Sequence, residues 1–317
     1  MTNAFKICIG SFAAALLALQ AVTAALAQTL PFGSDIFGPP GAEEIGDGVY
    51  SFRSGAYRTM FMVTGEGVIL VDPMGEANAK LIDESIAKLT DKPVKYVVYS
   101  QSHRDRAGGA KLFTNRGAKV VAHQECALNL SRTPFPEVVP PDITFTDVYS
   151  VKLGGRSMDL YYFGPANDTC AIVAVPRPGD VAFIVNVVIP PGASLPWNMT
   201  LADTHTWNIV NFMKRVEDMA AREGVTRIAG SFISATRGPN GRPQLLPGVG
   251  PISVVTEQRR FWEMLFADVK AALDAGAPST AVGTKIDHEK YKVFRRYDEK
   301  ALNIIARRVA STYVTGR

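Results

Sequence analysis

Residues Ser100–Gly109 read "SQSHRDRAGG", and the reading of this stretch decides the fold. It follows Val94 to Tyr99, an apolar run with the composition of a buried strand, and leads into Ala107 to Thr114, which reads as a helix. A polar, ionisable loop closing on Gly-Gly between strand and helix has the punctuation of a metal-binding loop, yet it holds a single histidine, His103. Upstream, "GEGVILVDP" (residues 65–73) is a turn into a second buried strand that ends on Asp72.

Working outward, short runs rich in Val, Ile, Phe and Tyr read as strands at Val49 to Arg53, Arg58 to Thr64 and Lys119 to Ala122, with His123 at the end of the last. Ala77 to Leu89 has apolar residues at helical spacing, and Thr133 to Asp142 is a Pro-rich loop. A second half follows, with strands at Val151 to Leu153, Met158 to Phe163, Cys170 to Val175, Val181 to Val188 and Thr226 to Ala229. A long amphipathic helix spans Thr204 to Glu223, and two closing helices cover Ser253 to Ala275 and Lys290 to Tyr313. Strands with inserted helices in two successive halves imply two sheets packed face to face with helices outside.

The 317 residues carry 34 Lys and Arg against 30 Asp and Glu, a formal charge of +4. The basic residues are scattered, which argues against a nucleic-acid partner. Met1 to Ala27 has the make-up of an export signal: Lys6, an apolar Ala-rich run, and Ala25-Leu26-Ala27 before Gln28. The expected mature chain is one domain, 28–317, periplasmic or secreted, with no membrane association after signal cleavage. Its C-terminal helices start at about residue 253. It keeps Cys126 and Cys170, which either pair in an oxidising compartment or stay as buried thiols.

The order of strand, "SQSHRDRAGG" and helix, with "GEGVILVDP" before it and "GPANDT" (residues 164–169) after it, resembles the metallo-β-lactamase superfamily from Gly48 to about Ser234. The resemblance implies an α/β fold, a four-layer αββα sandwich. It also assigns the family's zinc-ligand positions to Gln101, His103, Asp105, Arg106, Asn167, Asn186 and Ser231, of which only His103 and Asp105 keep the family's residue type. Asp72 takes the role of a prop for the loop through hydrogen bonds.

Zinc is held by imidazole, thiolate or carboxylate, and carboxamides are weak substitutes. An always-charged guanidinium at position 106 would repel a cation. The expectation is therefore that no dinuclear zinc centre forms and that Arg106 replaces the metal's charge, paired with Asp105. A single zinc ion on His103, Asp105 and Asp168 or Cys170 is the alternative cofactor. For chemistry, His103 is the candidate acid or base, Asp105 its orienter and Arg106 an electrostatic clamp. Gln101, Asn167, Asn186 and Ser231 are candidate substrate contacts, joined by Trp197 from the loop "IPPGASLPWNMT" (residues 189–200). The functional expectation is an exported protein of this fold that binds a small molecule or acts as a metal-independent hydrolase- or lyase-like enzyme; a hydrolase with a remodelled mononuclear metal site is the alternative.

Overall fold

A computed structural model describes residues 37–316, except 197, 200, 238, 239 and 241. The proposed leader lies outside the described residues, as does Trp197. Seven strands form the first sheet in chain order: β1 (Gly41–Gly46), β2 (Val49–Ser54), β3 (Tyr57–Val63), β4 (Val68–Val71), β5 (Val94–Val98), β6 (Lys119–His123) and β7 (Ile143–Phe145). The pairs up to β4 are antiparallel, and those from β4 to β7 are parallel. Parallel neighbours need crossovers. Those crossovers contain α1 (Glu76–Ala87), α2 (Arg104–Ala107), α3 (Lys111–Thr114) and α4 (Gln124–Arg132).

The second sheet contains β8 (Val148–Leu153), β9 (Arg156–Tyr162), β10 (Ile172–Arg177), β11 (Val181–Ile184), β12 (Arg227–Gly230) and β15 (Val249–Pro251), in the order β15-β12-β11-β10-β9-β8. β13 (Ala235–Arg237) and β14 (Pro243–Leu245) make a separate hairpin.

Alternation along the first sheet decides the layering, because successive side chains face opposite ways. Met60, Met62, Ile69, Val71, Val98 and Val121 enter the core shared with the second sheet. Their neighbours Phe61, Leu70, Val97 and Val120 pack with Ile82, Ile86 and Phe113 of the helices on the other side. The second sheet is covered by α5 (Thr206–Glu223), α6 (Ser253–Asp274) and α7 (Glu299–Thr315), whose apolar faces join the first core. The result is the αββα sandwich, with the C-terminal helices docked on its second sheet.

Several boundaries differ from the sequence reading for local physical reasons. The helix expected over 107–114 is two short ones broken at Gly108-Gly109. Gly109 has φ 90°, and a Cβ there would lie 2.6 Å from the Gly75 carbonyl oxygen, so the backbone packs directly on a neighbouring turn. β11 stops at Ile184 rather than Val188, ahead of Asn186 in the left-handed region at φ 55°. α7 starts at Glu299, not at 290, where the Asp298 carboxylate accepts from the Ala301 N–H as its cap. α4, β1 and β7 carry too few periodic residues to be read from sequence.

Cys126 and Cys170 form a disulfide with Cα atoms 5.3 Å apart, joining α4 to the loop before β10. Among the described residues, no helix is long and apolar enough to cross a membrane.

Candidate functional site

The site residues sit where strands of both sheets end: Asp72 after β4, Ser100 to Arg106 after β5, Asn186 after β11, Ser231 after β12, and Asn167 in the loop between β9 and β10. Asp72 is buried, has φ 45°, and props the loop by accepting from the Ser100 N–H at 2.8 Å and from the Ser100 hydroxyl. Burial pushes its carboxyl up to about 6, against the opposing pull of Arg106 and the two Ser100 hydrogen bonds.

Arg106 is fully buried. Its Nη1 donates to the Arg58 carbonyl at 3.1 Å, and its Nη2 donates to Asn186 Oδ1 at 3.1 Å and to the Ser231 carbonyl at 3.5 Å. The guanidinium carbon lies 5.0 Å from the ring centroids of both Tyr57 and Phe232, within cation–π range. Burial lowers its pKa, while Asp72 and then Asp105 raise it. The expected ion pair with Asp105 is present but long. The Asp105 carboxylate is half exposed and reaches only to 4.0 Å from Nε, which has no hydrogen bond. Neutral carbonyls, a carboxamide and two aromatic faces supply its nearer contacts.

From Arg106 the polar chain continues inward. Ser231 Oγ donates to Asn186 Oδ1 and accepts from the Asn186 N–H, both at 2.8 Å; Asn186 Nδ2 donates to Asn167 Oδ1 at 2.8 Å; and Asn167 Nδ2 donates to Thr204 Oγ1 at 3.3 Å. Arg106, Asn167, Asn186 and Ser231 are thus brought into one network, in which they satisfy one another. Asn167 and Asn186 also wall a small cavity of about 30 Å³, water-sized rather than substrate-sized. Gln101 is buried beside His103, Nε2 to Nδ1 at 3.0 Å, and its Oε1 has no partner.

The zinc implied by the resemblance does not fit these donors. Among the described residues no group of three or more His, Cys, Asp or Glu is disposed to hold a metal ion. The mononuclear alternative also loses its third ligand. Cys170 is in the disulfide, and the Asp168 carboxylate is fully engaged. Asp168 Oδ2 accepts from the Ser102 N–H and hydroxyl at 2.7 and 2.5 Å, and its Oδ1 accepts from the Thr169 N–H at 2.6 Å and from Asn129 Nδ2 at 3.2 Å. Of the other histidines, His123 caps α4 and stacks on Tyr162 at 3.7 Å, and His288 bonds to Gly283 and Tyr297.

Open space lies on the other side of the loop. A cleft of about 500 Å³ runs between His103, Asp105, the end of α4 at Asn129 to Thr133, Phe135 and Asp203. Of the sequence-selected residues, His103, Asp105 and Asp168 border it.

Sequence reasoning passed over Arg58, a second buried guanidinium. It bonds to Ser51 Oγ and to Glu43 and lies against Gly248, where a Cβ would come within 1.2 Å of Nη1. It also treated Asp168 only as a possible ligand. The positive φ that Asp168 adopts, 135°, has no signature in the sequence.

Comparison with known proteins agrees with this architecture. The family model of the metallo-beta-lactamase superfamily matches residues 55–184. A metallo-beta-lactamase type 2 of Elizabethkingia meningoseptica is 31% identical over 140 residues, 44% of this chain and 55% of that protein. Metallo-beta-lactamase IND-1 of Chryseobacterium indologenes is 34% identical over 76 residues, 24% of this chain and 32% of that protein. The chain thus spans about half or less of these curated relatives. A solved metallo-beta-lactamase from Pontibacter korlensis superposes with a TM-score of 0.58 at 18% identity, covering 71% of this chain and 99% of that one.

Proposed function

Because the chain carries a metallo-beta-lactamase superfamily domain, we propose that it is a metal-independent, small-molecule-binding member of that fold in which the Arg106 guanidinium stands in for the ion. The observation that carries this reading is the Arg106 hydrogen-bond set. One buried cation bridges loops of both sheets through Asn186, Ser231 and Arg58, the linking role a metal plays between ligands from separate loops. A fixed positive charge there opposes a second cation. Fold and chemistry are separable in such domains, since function resides in the groups grafted onto the scaffold.

The fully buried Cys126–Cys170 disulfide supports export of the mature 28–317 chain to an oxidising compartment, periplasmic or extracellular, as the leader-like N-terminus does. A second reading, metal-independent catalysis, draws on His103. It lines the cleft with one ring nitrogen held by Gln101, as an oriented acid or base would be.

Metal analysis of the purified protein, with melting before and after chelation, tests the proposal. Zinc well below one equivalent and an unchanged melting temperature are expected. One or two equivalents removed by chelator, with loss of stability or activity, would overturn it. His103→Ala separates the two readings: a binding role leaves any slow turnover unaltered, and catalysis by His103 abolishes it.

A further inference from the structure

The charges around the cleft beside His103 specify a ligand class, and the inference rests on the metal-independent binding reading. Two of the ionic groups there are already committed. Asp168 is saturated by Ser102, Thr169 and Asn129, and Arg104 pairs with Glu137 at 2.7 Å while covering Phe135. Arg132 and Asp203 face the cleft with no ion pair or hydrogen bond among the described residues. Asp105 is half exposed and only loosely paired, with the buried Arg106 Nε 4.0 Å away. Unpaired charge of both signs therefore borders one space, with Leu130 and Phe135 as its apolar part.

The walls are held in place before anything binds. The disulfide ties α4 to the loop carrying Asp168, and Asp168 ties that loop to Ser102, the neighbour of His103. A cleft of about 500 Å³ lies within the range that encloses small organic ligands.

We infer that this cleft receives a small zwitterion, of amino-acid to short-peptide size. Its ammonium group meets Asp203 and Asp105, its carboxylate meets Arg132, and its apolar side chain lies along Leu130 and Phe135. A ligand of one sign would leave the opposite set without a partner and would sit beside a like charge, which is unfavourable for affinity and serves to reject it.

The test uses L-phenylalanine, N-acetyl-L-phenylalanine and L-phenylalaninamide as zwitterionic, anionic and cationic probes, with the His103 ring resonances followed by NMR. Saturable shifts with L-phenylalanine are expected, with each blocked form about tenfold weaker, the effect of losing one charge-assisted contact. Arg132→Gln should abolish the preference for L-phenylalanine over the amide, and Asp203→Asn should reduce its preference over the acetylated form. Both side chains are exposed, so the fold is not at risk. Equal binding of all three probes, or no shift with any of them, overturns the inference. Failure of the underlying reading shows separately, as zinc retained in the same sample.

Discussion

Arg106 Nη2 and Asn186 Oδ1 meet at 3.1 Å across the junction of the two sheets, a cation from α2 after β5 and a carboxamide from the turn after β11. Asn186 holds that oxygen in place by also accepting from Ser231 Oγ and by anchoring Asn167 through its Nδ2. The contact joins the halves of the sandwich where strands from both terminate. Its energetics decide whether Arg106 is a structural cross-link or a residue the fold merely tolerates.

Truncation of Arg106 should be costly. Arg106→Ala removes donors from the Arg58 and Ser231 carbonyls and leaves a large cavity, for a loss of about 3–5 kcal/mol. Arg106→Met keeps most of the volume and removes the desolvated charge, so it should lose clearly less than the Ala variant. Urea denaturation of both variants measures the difference. Equal losses would mean that volume is not what the Arg106 side chain contributes.

The Asp168 clamp should matter independently of any ligand. Asp168→Ala frees the Ser102 N–H and hydroxyl, the Thr169 N–H and the Asn129 amide at once, at a cost of about 2–4 kcal/mol. Amide exchange should rise at Ser102 and Thr169 before it rises in the sheets. Uniform acceleration across the chain would argue against a local clamp.

Removing the disulfide by Cys126→Ala with Cys170→Ala closes off a constraint spanning 44 residues. Chain-entropy reasoning gives a loss of about 2–4 kcal/mol. Chemical denaturation of oxidised, reduced and doubly substituted protein should place the last two together and below the first.

Asp72 gives the stability curve a defined pH dependence. Its folded value, raised to about 6 by burial, exceeds the ordinary 3.8, so between those limits the folded state binds the proton more tightly than the unfolded chain. This group's contribution is greatest below about pH 4 and declines as pH rises through 6. Asp72→Asn, with no titrating group, should lack that decline. Stability of the wild type relative to the variant should therefore fall from pH 4 to pH 6. A difference that stays flat over that range would show that Asp72 is ionised throughout.

The two sheets were legible because period-two alternation at Met60, Phe61 and Met62 and at Ile69, Leu70 and Val71 is a local property of the chain, set by strand geometry. The donor chemistry at Gln101, Arg106, Asn167, Asn186 and Ser231 was legible as well, since carboxamide, guanidinium and hydroxyl groups are weak or repelled zinc ligands whatever the surroundings. α4 was not, because a nine-residue segment holding only two buried residues offers too little periodicity.

By itself, then, the sequence determined the sandwich and the residue types of the loop after β5. Only the tertiary structure decided what else Arg106 touches: the half-exposed Asp105 carboxylate next to it in sequence forms only a 4.0 Å ion pair, and acceptors 48, 80 and 125 residues away take the guanidinium hydrogen bonds. The pairing of Cys126 with Cys170 and the position of the open cleft were decided in the same way. Such contacts depend on where loops from distant strands converge, and that convergence is fixed by packing of the two sheets rather than by any local pattern.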